Sequence, residues 1–275
     1  MSARSDTPVA LITGSARGLG EAMAHALGGL GMRIVLVARS TEDTPNPVSP
    51  GSLEHVHSSL AAEAVEATWI RADLSKHDEV ERVIAETLSW AGRCDVLINN
   101  AVFAPIGPFL DLPPKRWTTA MAVNVVAPAA LCRAFGRGMI ERGSGLIINI
   151  GSVSSVVPLP GYAVFGSTRA AIERMTMAVA TEWGEMGIDA YTIRIEELIE
   201  TVGQQVVRSQ NRSGGATTQA LSKASQQINR GGRWTAQDFG RAIAWLAEHR
   251  PDPGDSRVLT LADLHRLGAL PDRES

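Results

Sequence analysis

The sequence predicts one α/β domain: a doubly wound, parallel sheet of about seven strands with helices on both faces. Three observations carry that prediction. Short apolar runs such as Val9–Thr13, Arg33–Ala38 and Gly145–Ile150 alternate with helical patterns along the whole chain. These runs are apolar for most of their length rather than at every second residue, as a strand covered on both faces requires. A glycine-rich turn, Gly14-Ser-Ala-Arg-Gly18-Leu-Gly20, follows the first run and opens into a helix. Buried parallel strands separated by helices need right-handed crossovers, which put helices on both sides of the sheet.

The elements follow in order. Val9–Thr13 reads as the first strand, ended by Gly14, and a helix from Glu21 to Leu30 has a small-residue face of Ala22, Ala24, Ala26 and Leu27. Arg33–Ala38 is the second strand. Pro45, Pro47 and Pro50 make Ser40 to Gly51 a surface loop. Thr68–Arg71 is the third strand, and Asp78–Trp90 an amphipathic helix with Val80, Val83, Ile84 and Leu88 at helical spacing. Asp95–Asn99, Gly145–Ile150 and Ala190–Ile195 read as buried strands, and Arg257–Leu261 as a short last one. A stretch rich in Gln, Ser, Asn and Gly, residues 203–232, is expected to be a polar lid inserted over the substrate. Residues 1–8 are expected to be a flexible N-terminus and 262–275 a C-terminal tail, so that 1–275 is a single domain.

Composition narrows the function classes. At ~150 residues per domain, 275 residues allow one or two domains. An apolar content of 44% with 20% charged residues is that of a globular chain rather than a disordered one. Twenty-six basic against 29 acidic residues leave a net charge of −3, which suggests neither a nucleic-acid nor an anionic-membrane partner. No uninterrupted apolar run reaches the ~18 residues of a membrane helix. The first residues lack a signal-peptide layout, so a cytoplasmic location is expected. Cys94 and Cys132 make neither a disulfide framework nor a metal cluster, and no metal is expected.

The glycine turn points to a dinucleotide. Its glycines allow a tight turn, close approach of backbone to a pyrophosphate and close helix packing, while the helix N-terminus offers N–H groups to the phosphates. Gly14, Ser15, Arg17, Gly18, Leu19 and Gly20 are the candidate contacts there. An enzyme using NAD would carry an acidic residue at the end of the second strand for the ribose 2′-hydroxyl. Here Ala38 is followed by Arg39 and Ser40, and Arg17 lies in the turn. Two guanidinium groups near one spot suit a 2′-phosphate, so NADP(H) is the expected cofactor.

Read together, these and further motifs resemble the short-chain dehydrogenase/reductase family over nearly the whole chain, which implies a Rossmann-type fold. Thr13–Gly20 (TGSARGLG) is similar to that family's TGxxxGxG turn. Ala72-Asp73-Leu74 resembles its adenine-capping element, which makes Asp73 and Leu74 candidate cofactor contacts. Asn99-Asn100-Ala101 resembles its Asn-Asn-Ala-Gly motif with Val102 in place of the glycine, adding Asn100 and Ala101. Asn124 matches the family's structural and proton-relay asparagine, and Ser152 its catalytic serine.

The resemblance then breaks where the chemistry belongs. The family places its catalytic tyrosine thirteen residues after that serine and its lysine four further on. Those positions hold Phe165 and Arg169, and Glu196-Glu197 stands after the sixth strand where the family has Pro-Gly. A phenyl ring does no acid–base work, and losing a positioned general acid typically costs ~10²–10⁴ in rate. Arg169 is expected to hydrogen-bond the nicotinamide ribose but to carry no proton. Tyr162, one helical turn before Phe165, is the candidate substitute, with an ordinary rim residue as the alternative. Glu196 and Glu197 are candidates for a substrate amine or a proton shuttle, or else a solvated loop pair.

Three functions compete. The favoured one is hydride transfer to a C=N, iminium or hemiaminal-derived centre, where no proton is needed at the heteroatom, with a carbonyl as the alternative acceptor. The others are a non-redox, lyase- or dehalogenase-type enzyme and an inactive NADP-binding sensor. Val102–Phe109, Val153–Tyr162 and the polar lid are the expected pocket walls, suited to a small, fairly apolar molecule. The resemblance also implies a homodimer or homotetramer paired along the helix from about Gly166 to Trp183.

Overall fold

A computed structural model describes residues 6–45, 50–196, 199, 234–252, 254 and 257–270. Seven parallel strands form its sheet: β1 (Val9–Thr13), β2 (Arg33–Ala38), β3 (Ala67–Arg71), β4 (Val96–Asn99), β5 (Gly145–Ser152), β6 (Ile188–Ile195) and β7 (Val258–Thr260). Their order is β3-β2-β1-β4-β5-β6-β7, and every neighbouring pair is parallel. The expected doubly wound fold is the observed one. The described helices are α1 (Gly18–Gly29), α2 (Leu53–Ala62), α3 (His77–Ala91), α4 (Pro114–Met121), α5 (Ala127–Arg142), α6 (Ala163–Trp183), α7 (Ala236–His249) and α8 (Leu261–Arg266).

Each face of the sheet buries its own apolar layer. On one face, Ile12, Ile34, Leu36 and Ile148 pack against Met23 and Leu27 of α1, Val56 and Leu60 of α2, and Phe239 and Ile243 of α7. On the other, Leu11, Val35, Leu97 and Ile147 meet Val80 and Val83 of α3 and Leu131, Phe135 and Met139 of α5. That two-sided burial explains why the strands read as continuous apolar runs. A polar row crosses the second face. Asn99 Nδ2 donates to Asn149 Oδ1 at 2.8 Å, and Asn149 Nδ2 to Thr176 Oγ1 of α6 at 2.8 Å. Thr192 Oγ1 donates to the same Thr176 oxygen at 2.9 Å, tying β4, β5, β6 and α6 together.

Element ends differ from the sequence reading for identifiable reasons. α1 starts at Gly18, because the glycine turn itself supplies the first helical residues. α2 follows the proline loop at once, capped by Ser52, whose Oγ accepts from the His55 N–H. α6 starts at Ala163 with Tyr162 at its N-cap position. The stretch expected as a C-terminal tail opens as α8, whose capping box pairs Thr260 with Asp263 and which buries Leu261 and Leu264. The helical run Pro114–Arg142 has the length and mean hydropathy, 1.3, of a membrane span. Within it α5 buries Leu131, Cys132, Phe135 and Met139 against the sheet, as a core helix does. The expected lid at 203–232, the first five residues and Glu197 lie outside the described residues.

Candidate active site

The strand order reverses between β1 and β4, and a ligand crevice forms outside the carboxyl ends of strands at such a point. Gly14 sits there at φ +70°, and a Cβ on it would lie 2.8 Å from Asn100 Nδ2 and 2.9 Å from Ala101 Cα. Only glycine fits that spot. The turn is held from both sides. Ser15 Oγ accepts from the Val37 N–H at 2.9 Å, while Asn100 Nδ2 donates to the Thr13 and Gly14 carbonyls at 2.8 and 3.1 Å. Thr13 Oγ1 accepts from the Asn100 and Ala101 N–H groups at 2.9 and 3.0 Å. Ser15 and Asn100 therefore shape the turn with their side chains.

The crevice encloses about 230 Å³ and is lined by Gly14, Arg17, Gly18, Leu19, Gly20, Arg39, Ser40, Asp73, Leu74, Asn100 and Ala101 among others. Of the cofactor contacts expected from sequence, the wall lacks only buried Ser15 and Arg169. Arg17 Nη1 reaches Ser40 Oγ at 3.4 Å. Burial, and then the neighbouring Arg39 charge, lower the Arg17 pKa. The two guanidinium groups are thus close enough to repel, and an anion between them would relieve that repulsion. On Asp73, burial pushes the pKa up, but hydrogen bonds from the Ser75 N–H and Oγ–H, with the Arg39 and Lys76 charges, hold it below its ordinary value. The wall fits a nicotinamide dinucleotide carrying a 2′-phosphate: glycine clearance for a pyrophosphate, paired arginines, and no carboxylate at the end of β2.

The second part of the site lies between β5 and α6. Phe165 stands in the first turn of α6, with the Tyr162 ring edge-on at 6.1 Å and the Arg169 guanidinium 5.0 Å from its centroid. Arg169 is 4% exposed. Its Nη1 donates to the Ile150 carbonyl at 2.6 Å, and its buried Nε has no acceptor among the described residues. Burial lowers its pKa to about 10. Burial likewise raises the Tyr162 pKa. Tyr162 lines a second cavity of about 540 Å³ with Phe109, Ser154 to Gly161 and the first turns of α6. That wall matches part of the expected pocket, and Val102 and Phe103 line the neighbouring crevice instead.

Ser152 Oγ accepts from Ser154 Oγ at 3.1 Å and from the Ser154 N–H at 3.3 Å. Asn124, in a π-helical segment (Ala122–Val126), has both side-chain polar atoms bonded within the chain. Its Oδ1 accepts from the Phe103 N–H at 2.8 Å, and its Nδ2 donates to the Phe103 carbonyl at 2.8 Å and Thr168 Oγ1 at 3.0 Å. Asn124 therefore pins the loop after β4 to α6 through its side chain. Glu196 does not stand alone either. Its Oε1 accepts from Arg194 Nη1 at 3.4 Å.

Sequence reading missed the group beside it. Glu173, 7% exposed, receives Arg194 Nε and Nη2 at 3.0 and 2.8 Å in a two-pronged ion pair, and Ser155 Oγ donates to it at 2.6 Å. One signal was available: Glu173 lies one helical turn after Arg169, on the same face as the buried Ile172 and Thr176. Its partner 21 residues away could not be read from spacing.

Comparisons with known proteins agree with this architecture. The family model described as short chain dehydrogenase matches residues 8–211, and the chain belongs to that family. Its members are dehydrogenases and reductases, so the class is oxidoreductase. Gluconate 5-dehydrogenase of Gluconobacter oxydans is 35% identical over 179 residues, 65% of this chain and 66% of that protein. 3β-Hydroxysteroid dehydrogenase 1 of Eggerthella lenta is 28% identical over 238 residues, 86% of this chain and 85% of that one. A gluconate 5-dehydrogenase of Burkholderia cenocepacia, solved with NADP and tartrate, superposes with a TM-score of 0.76 at 28% identity, covering 94% of this chain and 96% of that one. Actinorhodin polyketide ketoreductase shares the fold with a TM-score of 0.81 at 24% identity, covering 95% and 97%.

Proposed function

We propose that the chain is an NADP(H)-dependent oxidoreductase that transfers hydride to a small, fairly apolar substrate without a tyrosine acid. The observation that carries this reading is the Phe165 ring, packed between Tyr162 and Arg169 where the family resemblance places the proton donor. The Arg17–Arg39 pair supports NADP(H) over NAD(H), as does the NADP bound to the Burkholderia relative. When bound, that cofactor supplies the hydride. Binding, orientation and proton supply fall to the chain.

Sequence alone favoured a C=N, iminium or hemiaminal-derived acceptor, because such a centre needs no acid. The geometry supports a carbonyl acceptor better. Ser152 Oγ receives two hydrogen bonds from Ser154, which leaves its own O–H free to donate to a substrate oxygen. Arg169 makes no ion pair among the described residues, because Glu173 is held by Arg194. A second positive charge nearby would be repelled, whereas charge developing on an oxygen would be stabilised.

NADPH binding, followed by fluorescence titration, and NADPH consumption against ketones, cyclic imines and hemiaminals test the reading. Binding with ketone turnover is the expected result. Turnover of the nitrogen compounds alone would return the assignment to C=N reduction. Binding without turnover would make the chain an NADP-responsive sensor, and no binding would point to non-redox chemistry.

A further inference from the structure

We propose that Ser154 is a proton-relaying and positioning residue, passing a proton from the outer cavity through Ser152 Oγ to the substrate oxygen. The inference rests on the carbonyl reading above and names how its proton is supplied. Phe165, Asn124 and Arg169 do not supply this proton. Phe165 has no proton to give, both side-chain polar atoms of Asn124 are bonded to Phe103 and Thr168, and the buried Arg169 guanidinium donates to the Ile150 carbonyl.

Ser152 and Ser154 remain, with Tyr162, in the same cavity wall as Ser154, as the competing donor. Ser152 closes β5 and caps the single turn of 3₁₀ helix Val153–Ser155. That turn brings the hydroxyl two residues on back onto Ser152 Oγ at 3.1 Å, with Ser154 as donor. Ser152 Oγ accepts two hydrogen bonds from Ser154, and its own proton has no acceptor among the described residues. Ser154 is 8% exposed, and it is a wall residue of the 540 Å³ cavity shared with Tyr162. One hydroxyl thus touches the cavity and the other is poised to donate.

The step balances. The carbonyl carbon accepts hydride from reduced nicotinamide, and its π pair moves to oxygen as an alkoxide. That oxygen takes the Ser152 Oγ proton, Ser152 is refilled from Ser154 Oγ, and Ser154 takes a proton from water in the cavity. The net change is one hydride and one solvent proton added across C=O. Replacing Ser154 by Ala removes the Oγ while keeping the backbone N–H on Ser152, so it separates relay from positioning.

The test measures ketone reduction by the whole chain and its Ser154→Ala and Ser154→Thr variants, in H₂O and D₂O mixtures. Expected are a fall of about 10² in kcat for Ser154→Ala with KM nearly unchanged, and restoration of most activity in Ser154→Thr. The wild-type proton inventory should be curved, with two protons in flight, and that of Ser154→Ala linear. Ketone turnover by the wild type with kcat of Ser154→Ala within about threefold would overturn the relay alone. NADPH binding with no ketone turnover by the wild type would overturn the carbonyl reading and the relay together.

Discussion

Replacing Arg169 by Met should remove function while leaving the fold as stable as before. Arg169 is 4% exposed, and burial, partly offset by the Glu173 charge, has lowered its pKa to about 10. Holding a charge at such a site costs about 3 kcal/mol of folding free energy at neutral pH. Against that stand one charge-assisted bond to the Ile150 carbonyl, worth about 1.5–3 kcal/mol, and the contact with the Phe165 ring, worth about 0.5–2 kcal/mol. The terms nearly cancel, and Met fills the space without a charge to desolvate. Urea unfolding at pH 7 should therefore place Arg169→Met within about 1 kcal/mol of the wild type, while turnover falls. The sign of the pH dependence follows from the lowered pKa. The penalty is fully present below about pH 10 and is relieved as the pH rises above that toward the ordinary arginine range, where the unfolded chain holds more protons. The wild type should then gain on the variant across that window. A loss above about 3 kcal/mol at pH 7 would mean that Arg169 is a structural tie and would refute the argument.

Three other perturbations address the crevice and the core. Arg39→Asp should reverse cofactor preference, lowering NADPH affinity by about 10–10² and raising that for NADH, as read by fluorescence titration with both. Gly14→Ala places a Cβ 2.9 Å from the Ala101 backbone at a left-handed φ, so it should cost about 2–4 kcal/mol in urea unfolding and abolish NADPH binding. Cys132, pushed up to about 12 by burial, and Cys94, raised further by burial, should resist a thiol-labelling disulfide reagent in the native protein and react only in denaturant.

The sequence by itself determined the sheet and the cofactor crevice. Strands buried on both faces cannot hide their apolar runs, and the turn from Gly14 to Gly20 needs glycine whatever surrounds it, so both are written locally. The replacement of a tyrosine by Phe165 and a lysine by Arg169 was equally legible, because it concerns residue identity at a fixed spacing. Tertiary structure alone decided what the polar side chains do. Ser15, Asn100 and Asn124 turn their side chains onto backbone groups up to 87 residues away, so these side chains build the site. Glu173 meets Arg194 because α6 crosses over β6 in one particular register. The start of α6 at Ala163 fixed Tyr162 against Phe165, and the one-turn helix after Ser152 folded Ser154 back onto its hydroxyl. Such pairings depend on how crossovers lay helices on the sheet, and residue spacing carries no record of that.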